Sequence, residues 1–201
     1  NQQATISNLV VLISGHGSNL QAILDACASG ELNAQVVAVI SNKSDAFGLE
    51  RARRANVPAI AKLKPKDQDR RAYDAELAEL AASFQLDWIV LAGWMRVLSS
   101  AFLDRFPQRV INLHPALPGT FPGTHAIERA YEACQRGEID RTGVMVHLVP
   151  DEGVDTGPVL AQAEVLIQPT DTLESLEARI HHTEHRLLIE TLGAYCVKRN
   201  A

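Results

Sequence analysis

The sequence contains few cysteines, no long hydrophobic run and no block of like charge. Its three cysteines, Cys27, Cys134 and Cys196, are odd in number and widely spaced, which argues against a disulfide framework and against a CxxC metal site. The longest apolar runs, such as residues 9–13 and 88–92, are far shorter than the ~20 residues that cross a bilayer. Lysine and arginine total 19 against 24 acidic residues, so we expect neither a membrane nor a nucleic acid as partner. Without a recognisable signal peptide, we expect a cytoplasmic protein.

The remaining composition is that of an ordinary globular protein. The chain has 201 residues, of which 46% are hydrophobic and 21% charged. A chain of this length buries enough surface to fold without disulfides or metals. We therefore expect one domain over residues 1–201.

Short apolar runs of strand length alternate with helical patterns along the chain. The runs lie at residues 8–14, 35–41, 57–61, 87–92, 110–113, 143–149 and 159–168, and a long helix begins at about Thr172. Strands that are apolar on both faces and separated by helices predict a mostly parallel sheet with helices on both faces. The expected fold is therefore Rossmann-like α/β.

The first turn from strand to helix has the composition of an anion-binding site. Gly15 and Gly17 allow close approach of a ligand to the backbone, and the helix that follows offers free amides and a positive dipole end. Ser18 and Gln21 have the spacing of a capping box, with Ser18 at the N-cap. The turn matches neither a dinucleotide fingerprint nor a P-loop. A phosphate cradle and a merely well-capped turn both fit this segment.

A second candidate site lies at the end of the strand near residue 113. Side chains alternate along a strand, so Asn112 and His114 project from one face, while Pro115 ends the strand. An amide N–H can stabilise an oxyanion, and an imidazole can transfer protons near neutral pH. A structural role for the histidine is the alternative. The pair is typical of acyl-group transfer.

The loop at residues 151–158 contains the acidic residues that this pair lacks. A carboxylate beside an imidazole favours the protonated ring and fixes its orientation. Asp155 is the candidate, and a solvated turn aspartate is the alternative.

Three further groups of polar residues are interpreted as structural or solvated. His181 and His185 are four residues apart on a predicted helix, but HEXXH is absent and we expect no metal. His125 and His147 are interpreted as structural. The arginines of the predicted helix at residues 48–55, Arg51, Arg53 and Arg54, are interpreted as a solvated basic edge.

Five segments in this order resemble the phosphoribosylglycinamide formyltransferase family, folate-dependent enzymes of purine biosynthesis. They are SGHGSNLQAI, NKSDAFGLERAR, LAGWMRVLS, NLHPALPGTFPGTHAIERA and DEGVDTGP, and the likeness extends from about residue 8 to about residue 192. The resemblance implies a formyltransferase fold with an antiparallel strand and a long helix near the C-terminus. It also implies an N-terminal half that binds phosphate and a C-terminal half that binds folate and carries out catalysis.

The chemistry that the resemblance implies is formyl transfer. The amine of glycinamide ribonucleotide would attack the formyl carbon of the co-substrate 10-formyltetrahydrofolate, and tetrahydrofolate would leave. Asn112 resembles the residue that stabilises the oxyanion, His114 the proton-transfer residue, and Asp155 the carboxylate that raises the pKa of that histidine.

The resemblance also implies which residues bind the two substrates. Those matching the ribonucleotide site are Gly17, Ser18 and Asn19, around the phosphate, and Glu184. Those matching the folate site are Arg70, Met95, Arg96, Val97, Leu98 and Asn112. We expect no other cofactor, and either a monomer or a homodimer.

The sequence departs from the family pattern at three places. His16 replaces the commonest residue of the first turn, residues 116–119 differ in the loop after His114, and the segment from His147 to Asp155 is one residue longer. The last departure leaves Asp151 and Asp155 as alternatives beside the histidine.

Three alternative functions fit the same residues. The protein could transfer the formyl group to another amine, such as an amino-sugar nucleotide or methionyl-tRNA. It could instead be a formyltetrahydrofolate hydrolase or a non-catalytic nucleotide-binding module.

Overall fold

The computed structural model describes residues 6–198, and side chains up to residue 196. This part of the chain forms seven strands and six helices. The strands are β1 (Ser7–Ile13), β2 (Ala34–Ser41), β3 (Ala59–Ala61), β4 (Trp88–Leu91), β5 (Val110–His114), β6 (Arg141–Leu148) and β7 (Val159–Leu166). The helices are α1 (Ser18–Ser29), α2 (Phe47–Arg54), α3 (Arg70–Ala82), α4 (Ser100–Leu103), α5 (Ala126–Gln135) and α6 (Leu173–Lys198).

All seven strands belong to one sheet, in the order β3-β2-β1-β4-β5-β6-β7. The strands from β3 to β5 are parallel, whereas β6 is antiparallel to β5 and β7 is antiparallel to β6. The predicted mostly parallel α/β sheet is confirmed, with an antiparallel pair of strands and the long helix α6 completing the chain.

The core consists of two apolar clusters, one on each face of the sheet. Alternate residues of β1 divide between them: Leu9 and Val11 pack with α1, α5 and α6, whereas Val10 and Leu12 pack with α3 and α4. This division follows from the two-residue repeat of a strand. It also explains why β1 is apolar from Leu9 to Ile13: both faces of this part of the strand are buried beneath helices. The prediction of helices on both faces is therefore confirmed.

The carboxyl ends of the parallel strands all lie at one edge of the sheet. Chain order reverses between β1 and β4, and ligands of such sheets bind at this kind of switch point. Ser14, which follows β1, connects the strand ends there: its hydroxyl donates to Asn42 Oδ1 at 2.7 Å and accepts from the Met95 amide at 2.9 Å. The first turn is thereby fixed relative to the segment after β4.

Candidate active site

Asn112 and His114 project from the end of β5, next to the antiparallel strand β6. His114 is buried, Asn112 is half-buried, and Leu113 between them packs in the core on the opposite face. In the β5–β6 register, Asn112 lies directly opposite His147. The strand alternation inferred from the sequence thus brings the carboxamide and the imidazole to one face, and the sheet adds a second histidine.

Asp155 lies between the side chains of Asn112 and His114. Its Oδ2 is 3.3 Å from His114 Nδ1, and its Oδ1 accepts a hydrogen bond of 3.1 Å from Asn112 Nδ2. Asp151 has a different partner, because its carboxylate accepts from the Gly153 amide at 2.8 Å within its own loop. Of the two alternatives, Asp155 is the carboxylate beside the histidine.

Two residues that contact His114 have a left-handed backbone. Asp155 has a φ of 54° and Phe121 has a φ of 45°, a region that non-glycine residues seldom occupy. Such conformations persist where surrounding contacts fix them, and they occur frequently at functional sites. Here the Gly123 amide donates to Asp155 Oδ2 at 2.8 Å, so the loop at residues 117–124 and the loop at residues 151–158 hold each other in place.

The hydrogen bond to the Phe121 carbonyl determines which ring nitrogen of His114 carries the proton. His114 Nε2 lies 3.0 Å from the Phe121 oxygen, and because a carbonyl can only accept, Nε2 donates. In the neutral ring the unprotonated nitrogen is then Nδ1, the atom that faces Asp155. The ring is therefore oriented to receive a proton on Nδ1 and to pair with a carboxylate once it has done so.

Burial and charge act in opposite directions on the pKa of His114. Burial lowers this pKa, whereas the Asp155 charge and the Phe121 carbonyl raise it, and the net pKa lies below its ordinary value. The predicted effect of Asp155 is present, but burial outweighs it. Burial raises the pKa of Asp155, yet the adjacent His147, the Gly123 amide and the charge of His114 outweigh that effect and hold this pKa below its ordinary value. The site therefore contains an ionised carboxylate beside a neutral imidazole near neutral pH.

His147 is a member of this cluster that the sequence analysis missed. Its Nδ1 donates to the Leu148 carbonyl at 2.8 Å, so Nε2 is free to accept the 3.1 Å hydrogen bond from Asn112 Nδ2. His147 is buried, and its Nε2 lies 3.5 Å from Asp155 Oδ1. Only the antiparallel register, which local patterns do not encode, could have indicated its position opposite Asn112.

A cavity of about 600 Å³ opens beside the cluster. Its lining includes Asn112, His114 and Asp155 together with residues 95–98, the segment that the sequence analysis expects to bind folate. Met95 and Val97 are exposed, as is Val154 on the opposite loop. Apolar side chains exposed around a cavity that also contains a few polar groups are typical of a ligand site.

The turn before α1 differs from the capping box expected from the sequence. The N-cap is Gly17, with a φ of 76° and no side-chain cap hydrogen bond, and Ser18 is the first residue of the helix. The prediction of Ser18 as the N-cap is therefore wrong, because the left-handed glycine turns the chain one residue earlier. Since no side chain caps this end, the first amides of α1 are available to an anion. Asn19 Oδ1 is buried there without a hydrogen-bond partner among the described residues.

The other matched residues lie outside the cavity lining. Arg70 pairs with Glu152, whose carboxylate also accepts from the Ser100 amide at 2.9 Å, so α3 and α4 hold the loop that carries Asp155. Glu184 is buried on α6 and lies 2.7 Å from His181 Nδ1. Their hydrogen bond raises the pKa of His181.

The described part of the chain contains neither a metal-binding cluster nor a membrane-spanning helix. Among residues 6–198, no three or more histidine, cysteine or acidic side chains are grouped so that they could hold a metal ion. None of the helices described here combines the length and apolar character needed to cross a membrane.

Comparisons with known proteins agree with one another. A family profile described as formyl transferase matches residues 7–192. The chain is 46% identical to phosphoribosylglycinamide formyltransferase of Dictyostelium discoideum, over 95% of this chain and 98% of that protein. It is 44% identical to the enzyme of the same name from Escherichia coli K12, over 90% and 82% of the two chains. The crystal structure of glycinamide ribonucleotide transformylase 1 from Symbiobacterium toebii superposes with a TM-score of 0.90 at 42% identity, over 98% of this chain and 91% of that one.

Proposed function

This chain belongs to the formyl transferase family, and from that premise we propose that it is a phosphoribosylglycinamide formyltransferase. It transfers the formyl group of 10-formyltetrahydrofolate to the amine of glycinamide ribonucleotide, a step of purine biosynthesis. The observation that carries the proposal is the convergence of Asn112, His114 and Asp155 beside a cavity with apolar walls. The relatives' names support the choice of amine.

His114 is the proton acceptor in this proposal. The attacking amine must lose a proton as its nitrogen bonds to the formyl carbon, and Nδ1 is the ring nitrogen that lacks one in the Nε2–H form. The lowered pKa keeps the ring neutral, and so able to accept, near neutral pH. Protonation then creates an imidazolium 3.3 Å from the ionised Asp155, whose charge stabilises it. The imidazolium returns this proton to N10 of the folate as the bond between N10 and the formyl carbon breaks, so that tetrahydrofolate leaves and the ring is neutral again.

Asn112 is assigned to the oxyanion that develops on the formyl oxygen. Both of its amide hydrogens have partners in the cluster, one on His147 and one on Asp155. When the substrate binds, one of these hydrogen bonds would be exchanged for a bond to the oxyanion. A hydrogen-bond donor that is already oriented toward the developing charge lowers the barrier, because it does not have to reorganise during the reaction.

The two substrates are assigned to different parts of the sheet edge. The phosphate of the ribonucleotide binds the turn of Gly17, Ser18 and Asn19, and Glu184 binds another part of that molecule. The folate binds the cavity lined by residues 95–98, and Arg70, which pairs with Glu152 of the loop at residues 151–158, binds a part of the folate that extends beyond it. Ser14, next to the phosphate turn, accepts a hydrogen bond from the amide of Met95 in the folate segment. This direct contact supports the proposal that both substrates bind at the same edge of the sheet. We also propose that residues 1–201 form a single formyltransferase domain.

A substrate-profiling assay tests the proposed function. The purified protein is incubated with 10-formyltetrahydrofolate and, in separate reactions, glycinamide ribonucleotide, an amino-sugar nucleotide, methionyl-tRNA or no amine. We expect formylated glycinamide ribonucleotide and little reaction in the other three. Formyl transfer to a different amine, release of formate without an amine, or no turnover by folded protein would each contradict the proposal.

A further inference from the structure

Of the three arginines of α2, one has different partners from the other two. Arg53 and Arg54 pair with Glu50 of the same helix, at 3.8 and 3.0 Å. Arg51 has no carboxylate oxygen within 4.0 Å of its guanidinium among the residues that the structure describes. Arg51 therefore departs from the solvated edge that the sequence predicts, and its positive charge is not offset by a neighbouring acid.

The guanidinium of Arg51 instead binds the turn that precedes α1. Its Nε donates to the His16 carbonyl at 2.9 Å and its Nη1 donates to Gln21 Oε1 at 3.1 Å. Its Nη2 lies 3.2 Å from Nδ1 of the His16 ring, and the same guanidinium stacks over Phe47 at 4.9 Å. One side chain thus connects the turn to the first helical turn of α1, and an aromatic ring holds it in place.

The backbone of α2 forms a second contact with the same turn. The Gly48 amide donates to the Gly15 carbonyl at 3.1 Å, and a Cβ on Gly17 would lie only 2.8 Å from Gly48 Cα. There is therefore no room for a side chain at residue 17, and the close approach and the hydrogen bond together link the turn to α2. Arg51, one helical turn after Gly48, strengthens the contact between α2 and the turn through its hydrogen bond to the His16 carbonyl.

We propose that Arg51 is a positioning residue for the substrate phosphate. It holds residues 15–17 in the conformation that presents the first amides of α1, and it adds a positive charge that has no carboxylate oxygen within 4.0 Å in the described part of the chain. An arginine suits both tasks, since its planar fork makes two hydrogen bonds at once and stays charged. The inference rests on the proposed function only in that the anion is taken to be the phosphate of the ribonucleotide.

Binding of inorganic phosphate tests this inference without any catalytic step. Calorimetric titration compares the wild-type chain with Arg51→Ala, Arg51→Lys and, as the matched control from the same helix, Arg53→Ala. We expect Arg51→Ala to weaken phosphate binding about 10- to 100-fold, the effect of losing hydrogen bonds from a charged group. Arg51→Lys should give a smaller loss, because a lysine keeps the charge but cannot reproduce the fork. Arg53→Ala should match the wild type.

Steady-state kinetics separate a role in phosphate positioning from general damage to the fold. Arg51→Ala should raise the KM for glycinamide ribonucleotide by the same factor as it weakens phosphate binding. It should leave kcat and the KM for 10-formyltetrahydrofolate unchanged. With the riboside that lacks the phosphate, the wild type and the variant should have the same kcat/KM. If Arg51→Ala fails to fold, the same comparisons are made with Arg51→Lys.

The outcomes distinguish failure of this inference from failure of the proposed function. Equal phosphate affinity in the wild type and Arg51→Ala, no phosphate binding by the wild type, or an equal loss of kcat/KM with the riboside would overturn the role of Arg51. If the wild type binds phosphate in an Arg51-dependent way but does not formylate the ribonucleotide, the proposed function fails and the phosphate site stands.

Discussion

The turn after β1 and the cluster at the end of β5 lie at the same edge of the sheet but present different chemical groups. The turn presents backbone: Gly17 caps α1 without a side chain, and the neighbouring helix contacts it at Gly48. The cluster presents side chains, because the Asp155 carboxylate lies 3.1 Å from Asn112 Nδ2 and 3.3 Å from His114 Nδ1.

This difference follows from what each region is proposed to bind. A phosphate carries full charge before and after the reaction, so fixed amides and a helix dipole suit it. An attacking amine changes charge during the reaction, so it needs groups that can take up a proton or respond to charge. Substitutions in the cluster should therefore change kcat, whereas substitutions at the turn should change KM.

The largest effect is expected from His114→Ala. This change removes the proposed proton acceptor, and loss of one general base typically lowers the rate about 10²–10⁴-fold. The measurement is kcat for formylation of glycinamide ribonucleotide, with circular dichroism to check that the chain is folded. The KM for the ribonucleotide should change little.

His182→Ala is the matched control for this experiment. His182 is an exposed histidine of α6, remote in sequence from the cluster, so its removal should leave kcat as in the wild type. A folded His114→Ala protein with wild-type kcat would show that some other group accepts the proton.

The architecture could be predicted from the sequence because the signals for it are local. Each buried strand is a short apolar run: the run at residues 35–41 is observed as β2 (Ala34–Ser41), and the run at residues 110–113 as β5 (Val110–His114). The predicted N-cap of α1, Ser18, is wrong. Glycine can also occupy an N-cap, and the capping-box pattern does not account for this.

The site could be predicted where its residues share a strand or stand out in a loop, as Asp155 does in the acidic loop at residues 151–158. Asn112 and His114 follow from alternation along one strand, whereas His147 and Arg51 were missed as site residues. Each of these two contacts a residue 35 positions away, through strand pairing in one case and helix packing in the other. Neither arrangement leaves a periodic pattern in the sequence, so only the folded chain reveals them.

A smaller effect with a distinct signature is expected from Asp155→Asn. The loss of the charge should lower kcat about 10- to 100-fold, in line with a lost charge-assisted interaction. Asp155 raises the pKa of His114 against the effect of burial, so without it this pKa should fall further. The acid limb of kcat/KM, measured over roughly pH 5 to 8, should therefore move to lower pH.

Asp151→Asn is the matched control for that profile. Asp151 lies in the same loop, but its carboxylate accepts from the Gly153 amide rather than contacting His114. Its substitution should leave the acid limb where it is in the wild type. If instead Asp151→Asn moves the limb and Asp155→Asn does not, Asp151 is the carboxylate that acts on the histidine.

The smallest effect on kcat is expected at the turn, where α1 offers an internal comparison between its two ends. Gly17 and Gly30 flank the helix with φ values of 76° and 79°, but only Gly17 has a close neighbour, Gly48. Alanine at either position should lower the free energy of unfolding by about 1–2 kcal/mol through backbone strain, and Gly17→Ala by more because its Cβ would displace α2. Gly17→Ala should also raise the KM for the ribonucleotide without changing kcat, whereas Gly30→Ala should change neither. Thermal unfolding and steady-state kinetics are measured on both variants. If kcat falls in Gly17→Ala as much as in His114→Ala, the turn and the cluster do not have separate effects on KM and kcat.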